Sequence, residues 1–221
     1  VLEMRDTRKN IDYFKNYLDY QYSRIDKKTA KLKDSDEEKK QRILVSLTGY
    51  EVDLLKAEFS IGTSKDNMKN YTNKAIEIVK DYNNITYYDL LTLLSIAVMI
   101  NDNSEVINLI KNNEDIIEKD RLLKYIANYI QDKEPKWDKN IQLRSEFMGL
   151  DKVFSTSDKE TALLEYLDGW YKNHSEYSWY DSHKSNTDTY SGYWSFEAAA
   201  ISIILGLDES KLRESVYYPS F

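Results

Sequence analysis

Apolar side chains recur every three or four residues near the start of the chain. Ile11, Phe14, Leu18, Tyr22 and Ile25 form one stripe, which predicts a helix from Arg5 to about Lys33. Asp34-Ser35-Asp36-Glu37-Glu38 then reads as a fresh helix start, with Ser35 and Glu38 at capping-box spacing. Ile43, Leu44, Leu47, Leu54, Leu55 and Phe59 continue the pattern until Gly62 stops it. Two long helices with so short a link must lie antiparallel. A third helix runs from Ser64 through Met68, Tyr71, Ala75, Ile78 and Tyr82 to Asn83-Asn84. The fourth, capped by Thr86 with Asp89, is apolar on almost every side from Leu90 to Ile100, which marks a central core helix. Asn101-Asp102-Asn103 ends it. Shorter helices are expected through Val106–Ile110, Arg121–Ile130, 140–150 and 157–172, the last with Ser157 and Glu160 as its capping box. A polar, aromatic loop from Asn173 to Ser191 precedes a terminal core helix, Tyr193–Leu205, closed by Gly206.

The fold class is therefore all-α: helical hairpins packed as one compact bundle or a repeat-like array, with a long aromatic loop before the terminal core helix. Two prolines and six glycines in 221 residues are too few for the turns of a sandwich or barrel. The expected division is 4–115 and 118–221, with a shared core. An echo at an offset of 106 residues supports related halves. Tyr87-Tyr88 aligns with Tyr193-Trp194, and Asp102-x-Ser104 with Asp208-x-Ser210.

Charge narrows the class of partner. The net charge is −7, and it is uneven: residues 1–50 hold 12 basic and 9 acidic side chains, residues 51–115 hold 6 and 11, and residues 151–221 hold 6 and 12. A nucleic-acid binder needs a basic surface, so this balance argues against one and favours basic protein partners. The longest apolar run, Leu90–Ile100, is about half of the ~20 residues needed to span a bilayer, so no membrane association is expected. Met4-Arg5-Asp6 opens no apolar signal region, and the absence of cysteine agrees with a reducing cytoplasm.

Candidate chemistry is thin. No pair of glycines sits close enough for a phosphate loop, and without cysteine there is no thiol or cysteine–zinc chemistry. His174, Asp181, His183 and Asp188 could be drawn as a metal site but lack a defined spacing, so no metal or cofactor is expected. Glu197 projects from the apolar face of the terminal helix between Trp194 and Ile201. A buried carboxylate needs a partner, for which His183, Lys184, Arg213 or a tyrosine hydroxyl are candidates. A clamp that pins the preceding loop fits better than a catalytic acid. The chain has nineteen tyrosines and four tryptophans, and they crowd residues 166–194 and 217–218. In the loop, Trp179, Tyr180 and Tyr190 are interleaved with Glu176, Asp181 and Asp188; these six are the expected partner-binding residues, with rings folded back as a mini-core the other reading.

Gly169-Trp170-Tyr171, Trp179-Tyr180-Asp181-Ser182-His183, Tyr190-Ser191-Gly192-Tyr193-Trp194-Ser195-Phe196-Glu197-Ala198 and Tyr217-Tyr218-Pro219 resemble the C-terminal domain of the PoNi immunity family. Met4-Arg5-Asp6 with Tyr13-Phe14 is similar to that family's N-terminal domain. The resemblance implies a helical cytoplasmic protein that neutralises a PoNe-type DNase toxin, a basic protein, in competition between bacteria. It brings no catalytic residues, so no enzyme activity is expected. Trp170, Tyr193, Trp194 and Glu197 fall in the shared strings and read as a folding signature. A helical-repeat scaffold for an endogenous partner is the alternative, and oligomeric state stays open.

Overall fold

Asn10 sets the start of the first helix. Its backbone is extended and its side-chain oxygen accepts the Tyr13 amide, so α1 spans Ile11–Ala30 and does not begin at Arg5. Residues 5–10 instead form an arm laid on the end of α2, Glu37–Ile61. The amides of Arg5 and Asp6 donate to the Ser60 carbonyl, and the Arg5 guanidinium donates to the carbonyls of Phe59 and Thr63. The arm thus brings donors to the end of α2, where the last carbonyls lack partners within the helix, although the Phe59 carbonyl also accepts the Gly62 amide. At the other end of α2 the cap is Asp36, which accepts the Lys39 amide, while the Ser35 hydroxyl turns back to the Lys31 carbonyl.

The computed structural model describes residues 3–102 and 104–221; Asn103 of the expected helix stop lies outside them. It is all-α, with no strand among the described residues. α3 (Lys65–Val79) and α4 (Tyr87–Ile100) begin at Ser64 and Thr86, each accepting the amide three residues ahead. α5 (Val106–Asn112), α6 (Glu114–Glu118) and α7 (Arg121–Ile130) follow, then α8 (Asp151–Ser155), α9 (Lys159–Asn173) and α10 (Phe196–Leu205). Every residue of α4 from Leu90 to Ile100 is buried, because α2, α3, α5, α7 and α10 all touch it. One hydrophobic core runs through both halves, from Phe14 and Leu47 through Leu93 and Ile126 to Leu167 and Ile201. α1 and α2 form the expected hairpin.

Three further boundaries differ from the sequence expectation, each because a side chain or remote carbonyl takes a backbone group. The segment 140–150 is irregular as far as Arg144, then a 3₁₀ stretch, Ser145–Leu150, leads into α8. Here the Arg121 guanidinium draws in the carbonyls of Asp138, Lys139 and Ile141, and the Arg121 amide that of Gln142. α9 is capped by Asp158, not Ser157, and Glu160 accepts the Asp208 amide instead of closing a capping box. α10 begins three residues later than expected, since the Ser195 amide donates to the Tyr217 carbonyl.

The echo between halves is partly visible. α4 and α10 pack against each other, and after each an aspartate accepts both the amide and the hydroxyl of the serine two residues on: Asp102 with Ser104, Asp208 with Ser210. Beyond that point the first copy continues into α5, whereas the second makes only a 3₁₀ turn, Leu212–Glu214. No helix among the described residues is long and apolar enough to cross a membrane.

Candidate functional site

The 173–195 segment is folded onto the molecule through its rings. Trp170 stacks on Trp179 with centroids 5.3 Å apart, and Tyr171 stacks on Tyr180 at 4.4 Å. Tyr193 joins both Tyr171 and Tyr190 at 4.9 and 4.8 Å. Below the rings, one oxygen of the buried Glu197 accepts three donors, the Tyr166 hydroxyl, the Trp170 indole N–H and the Ser195 hydroxyl, each at 2.8 Å. A tyrosine hydroxyl, not His183, Lys184 or Arg213, is thus among its partners. Glu197 ties α9 to α10 across the root of the loop, the clamp that its position implied.

The N-terminal arm fastens the other side. Tyr190, expected on the binding face, is instead fully buried: its hydroxyl donates to the buried Asp6, and its carbonyl accepts the Tyr13 hydroxyl at 2.6 Å. It cannot touch a partner without unfolding the loop. Ser60 on α2 donates to the Ser191 carbonyl at 2.7 Å and accepts the Trp194 indole N–H at 2.9 Å. Between them Gly192 takes φ 127°, and a Cβ there would lie 2.3 Å from the Ser60 hydroxyl, so only glycine fits. Asp6 and Ser60 were not legible as loop anchors, because each bonds to a residue more than 130 positions away.

The remaining loop residues face outward to differing degrees. Glu176 and Asp188 are exposed, and Trp179, Tyr180 and Asp181 are half-buried. Asp181 accepts the Tyr171 hydroxyl, which holds its carboxyl below the usual carboxylate range, and lies 3.5 Å from Lys184. The histidines act as packing groups. His174 is buried with Nδ1 2.6 Å from the Trp170 carbonyl, and His183 has Nδ1 2.6 Å from the Tyr193 hydroxyl, its pKa lowered by burial and by Arg8. His183 and Glu197 share no hydrogen-bond partner. Among the described residues no group of three or more His, Asp or Glu side chains is placed to hold a metal ion.

A cleft of about 510 Å³ opens beside this face, between α2, the start of α4 and the loop. Gly49, Asp53, Lys56, Tyr88, Asp89 and Trp179 line it. Lys56 is 3% exposed, its ammonium 5.4 Å from the Tyr88 ring centroid and 5.6 Å from that of Trp179. Desolvation opposes that charge, but Tyr88 and Asp53 together carry its pKa above the ordinary value. Burial, then the neighbouring Asp53 charge, raise Asp89 to about 6. The sequence signal was a lysine inside the apolar run Leu54-Leu55-Lys56-Ala57, where a charge must find partners across the fold.

The structure is similar to the crystal structure of protein PA2201 from Pseudomonas aeruginosa, with a TM-score of 0.75 and 16% identity over 98% of this chain and 88% of that one. At that identity the likeness shows the all-α fold. No curated protein matches the chain. Residues 5–112 match the family model "PoNe immunity protein (PoNi), N-terminal", and residues 118–220 match its C-terminal counterpart. With both halves matched over nearly its whole length, the chain belongs to the PoNi family of PoNe immunity proteins.

Proposed function

We propose that this immunity protein neutralises a PoNe-type DNase toxin by binding it stoichiometrically in the cytoplasm, using the outer side of the aromatic loop and performing no reaction of its own. The observation that carries the reading is the match of both family models, one to each half of the chain. Physical features support it. A nuclease must present basic side chains to DNA phosphates, and a protein of net charge −7 is attracted to such a surface. Glu176, Asp181 and Asp188 supply carboxylates around the half-buried edges of Trp179 and Tyr180, the combination of charge and aromatic area that binding faces use. Some DNase–immunity pairs reach dissociation constants on the order of 10⁻¹³ M or below, so the class of interaction supports complete neutralisation.

The loop is held before any partner arrives. Glu197, Asp6 and Ser60 fix it at three points, so binding need not order it, and that preserves affinity. A helical-repeat scaffold has less support, because in such arrays each unit contacts only its neighbours, whereas five helices converge on α4. Co-expression with the cognate nuclease tests the proposal: growth should be restored. Persistent killing with both proteins present and folded would refute it.

A further inference from the structure

We infer that the cleft between α2, the start of α4 and the aromatic loop receives one lysine or arginine side chain of the toxin. The inference rests on the toxin-binding reading above and names the chemistry of one contact within it. The cleft has room for a long side chain, at about 510 Å³. Its charged lining is two carboxylates, Asp53 and Asp89, against the single ammonium of Lys56; the hydroxyls of Thr86, Ser182 and Thr189 complete the polar rim. Arg24, outside the lining, also acts on Asp53, so the carboxylate with least cationic support is Asp89, for which the repulsion from Asp53 outweighs the attraction of Lys56. An anion entering the same space would meet two carboxylates in low-dielectric surroundings.

Gly49 adds an independent observation. It lies inside the 25-residue helix α2, where glycine weakens a helix, and yet nothing in the fold requires it. A Cβ built there would meet nothing nearer than Asp89 Oδ2, at 4.0 Å. What the missing side chain leaves open is the approach to that carboxylate. The walls suit a cation as well: the faces of Tyr88 and Trp179 already flank Lys56, and such rings attract ammonium and guanidinium groups. Trp179 is held in that wall by ring contacts with Trp170, Tyr171, His174 and Tyr193.

The carboxylates are under electrostatic load in the free protein. Asp89 faces Asp53 and Lys56 across from α2, has Thr86 and Tyr88 at its own helix start, and meets only uncharged side chains from the loop. Asp53 is itself pushed up by burial, against the pull of Lys56 and of Arg24 on α1. Burial first and the Asp53 charge second raise the Asp89 pKa, and an incoming cation would offset the second of these. A group that costs the free fold and serves the complex leaves a signature: removing its charge stabilises the protein and weakens binding.

The experiment measures affinity for the cognate PoNe-type nuclease domain, inactivated in its own catalytic residue, by calorimetry, with the melting temperature of each free variant. Asp89→Asn should melt higher than wild type at pH 7 and bind at least tenfold more weakly. Wild-type affinity should fall as pH drops through about 6, and the Asp89→Asn affinity should fall by less over the same range. Gly49→Leu, which fills the approach, should bind at least tenfold more weakly, whereas Gly49→Ala should bind as wild type. If Gly49→Leu fails to fold, Asp89→Asn decides. Tight wild-type binding that neither Asp89→Asn nor Gly49→Leu weakens overturns the cleft while leaving the toxin-binding reading intact. A wild-type protein that does not bind the nuclease overturns both.

Discussion

Glu197 gathers three neutral donors on one buried oxygen, and its loss would strand all of them in the core. Glu197→Ala should therefore destabilise the fold by ~3 kcal/mol or more, read as a lower urea midpoint. An unchanged midpoint would mean that water replaces the carboxylate. Gly192→Ala should cost at least ~1–2 kcal/mol, since φ 127° strains any L residue and the new methyl meets Ser60. Asp89 makes a prediction with a definite sign. Its folded pKa, about 6, lies above the unfolded value of about 3.9. Its contribution to stability is thus fully present below about 3.9 and is lost as pH rises through about 6. His183, whose pKa is lowered, works in the opposite direction over part of that window. The clean observable is therefore the difference between wild type and Asp89→Asn: the variant's advantage in melting temperature should grow from pH 5 to pH 7.5. A constant difference would show that Asp89 does not titrate as described.

At the scale of elements, the helices were legible wherever a stripe and a cap agreed. Ser64 and Thr86 open α3 and α4, and Gly62 closes α2 in a left-handed conformation, as the pattern indicated. The α1, α2 and α9 starts were shifted by neighbouring caps. Two other boundaries moved because of groups reaching across the chain: Arg121 holding the carbonyls of Asp138, Lys139 and Ile141, and Tyr217 taking the Ser195 amide. No local rule sees these. The candidate site divides the same way. Glu197 was readable as a buried clamp from its helical position, but its donors were only partly so. Tyr190 looked like surface because polar neighbours surround it in sequence, and only the fold shows Asp6 waiting for its hydroxyl. The cleft of Asp53, Lys56 and Asp89 joins two helices and a loop, so periodicity within any one of them is silent about it. Gly49→Ala carries the element-scale prediction: with room for the methyl in α2, it should stabilise the free protein by about 0.5–1 kcal/mol in urea unfolding. Destabilisation would mean that the helix needs the glycine, and the open approach to Asp89 would lose its interpretation.

Over the whole molecule, charge and rigidity act together. The acidic surplus lies in residues 51–115 and 151–221, which supply the cleft and the loop respectively. Reversing Asp181 and Asp188 together to lysine should slow association with the toxin most at low salt, with the difference shrinking as salt screens it. An equal association rate at all ionic strengths would move the interface elsewhere on the surface. The central claim is that the protein neutralises by occupancy and not by turnover. Titrating purified protein into a fixed amount of PoNe-type nuclease and following DNA cleavage tests it most directly. Cleavage should fall in proportion and vanish at equimolar protein, with the protein alone leaving DNA intact. Silencing by a small fraction of an equivalent, or cleavage that persists in excess protein, would contradict the account.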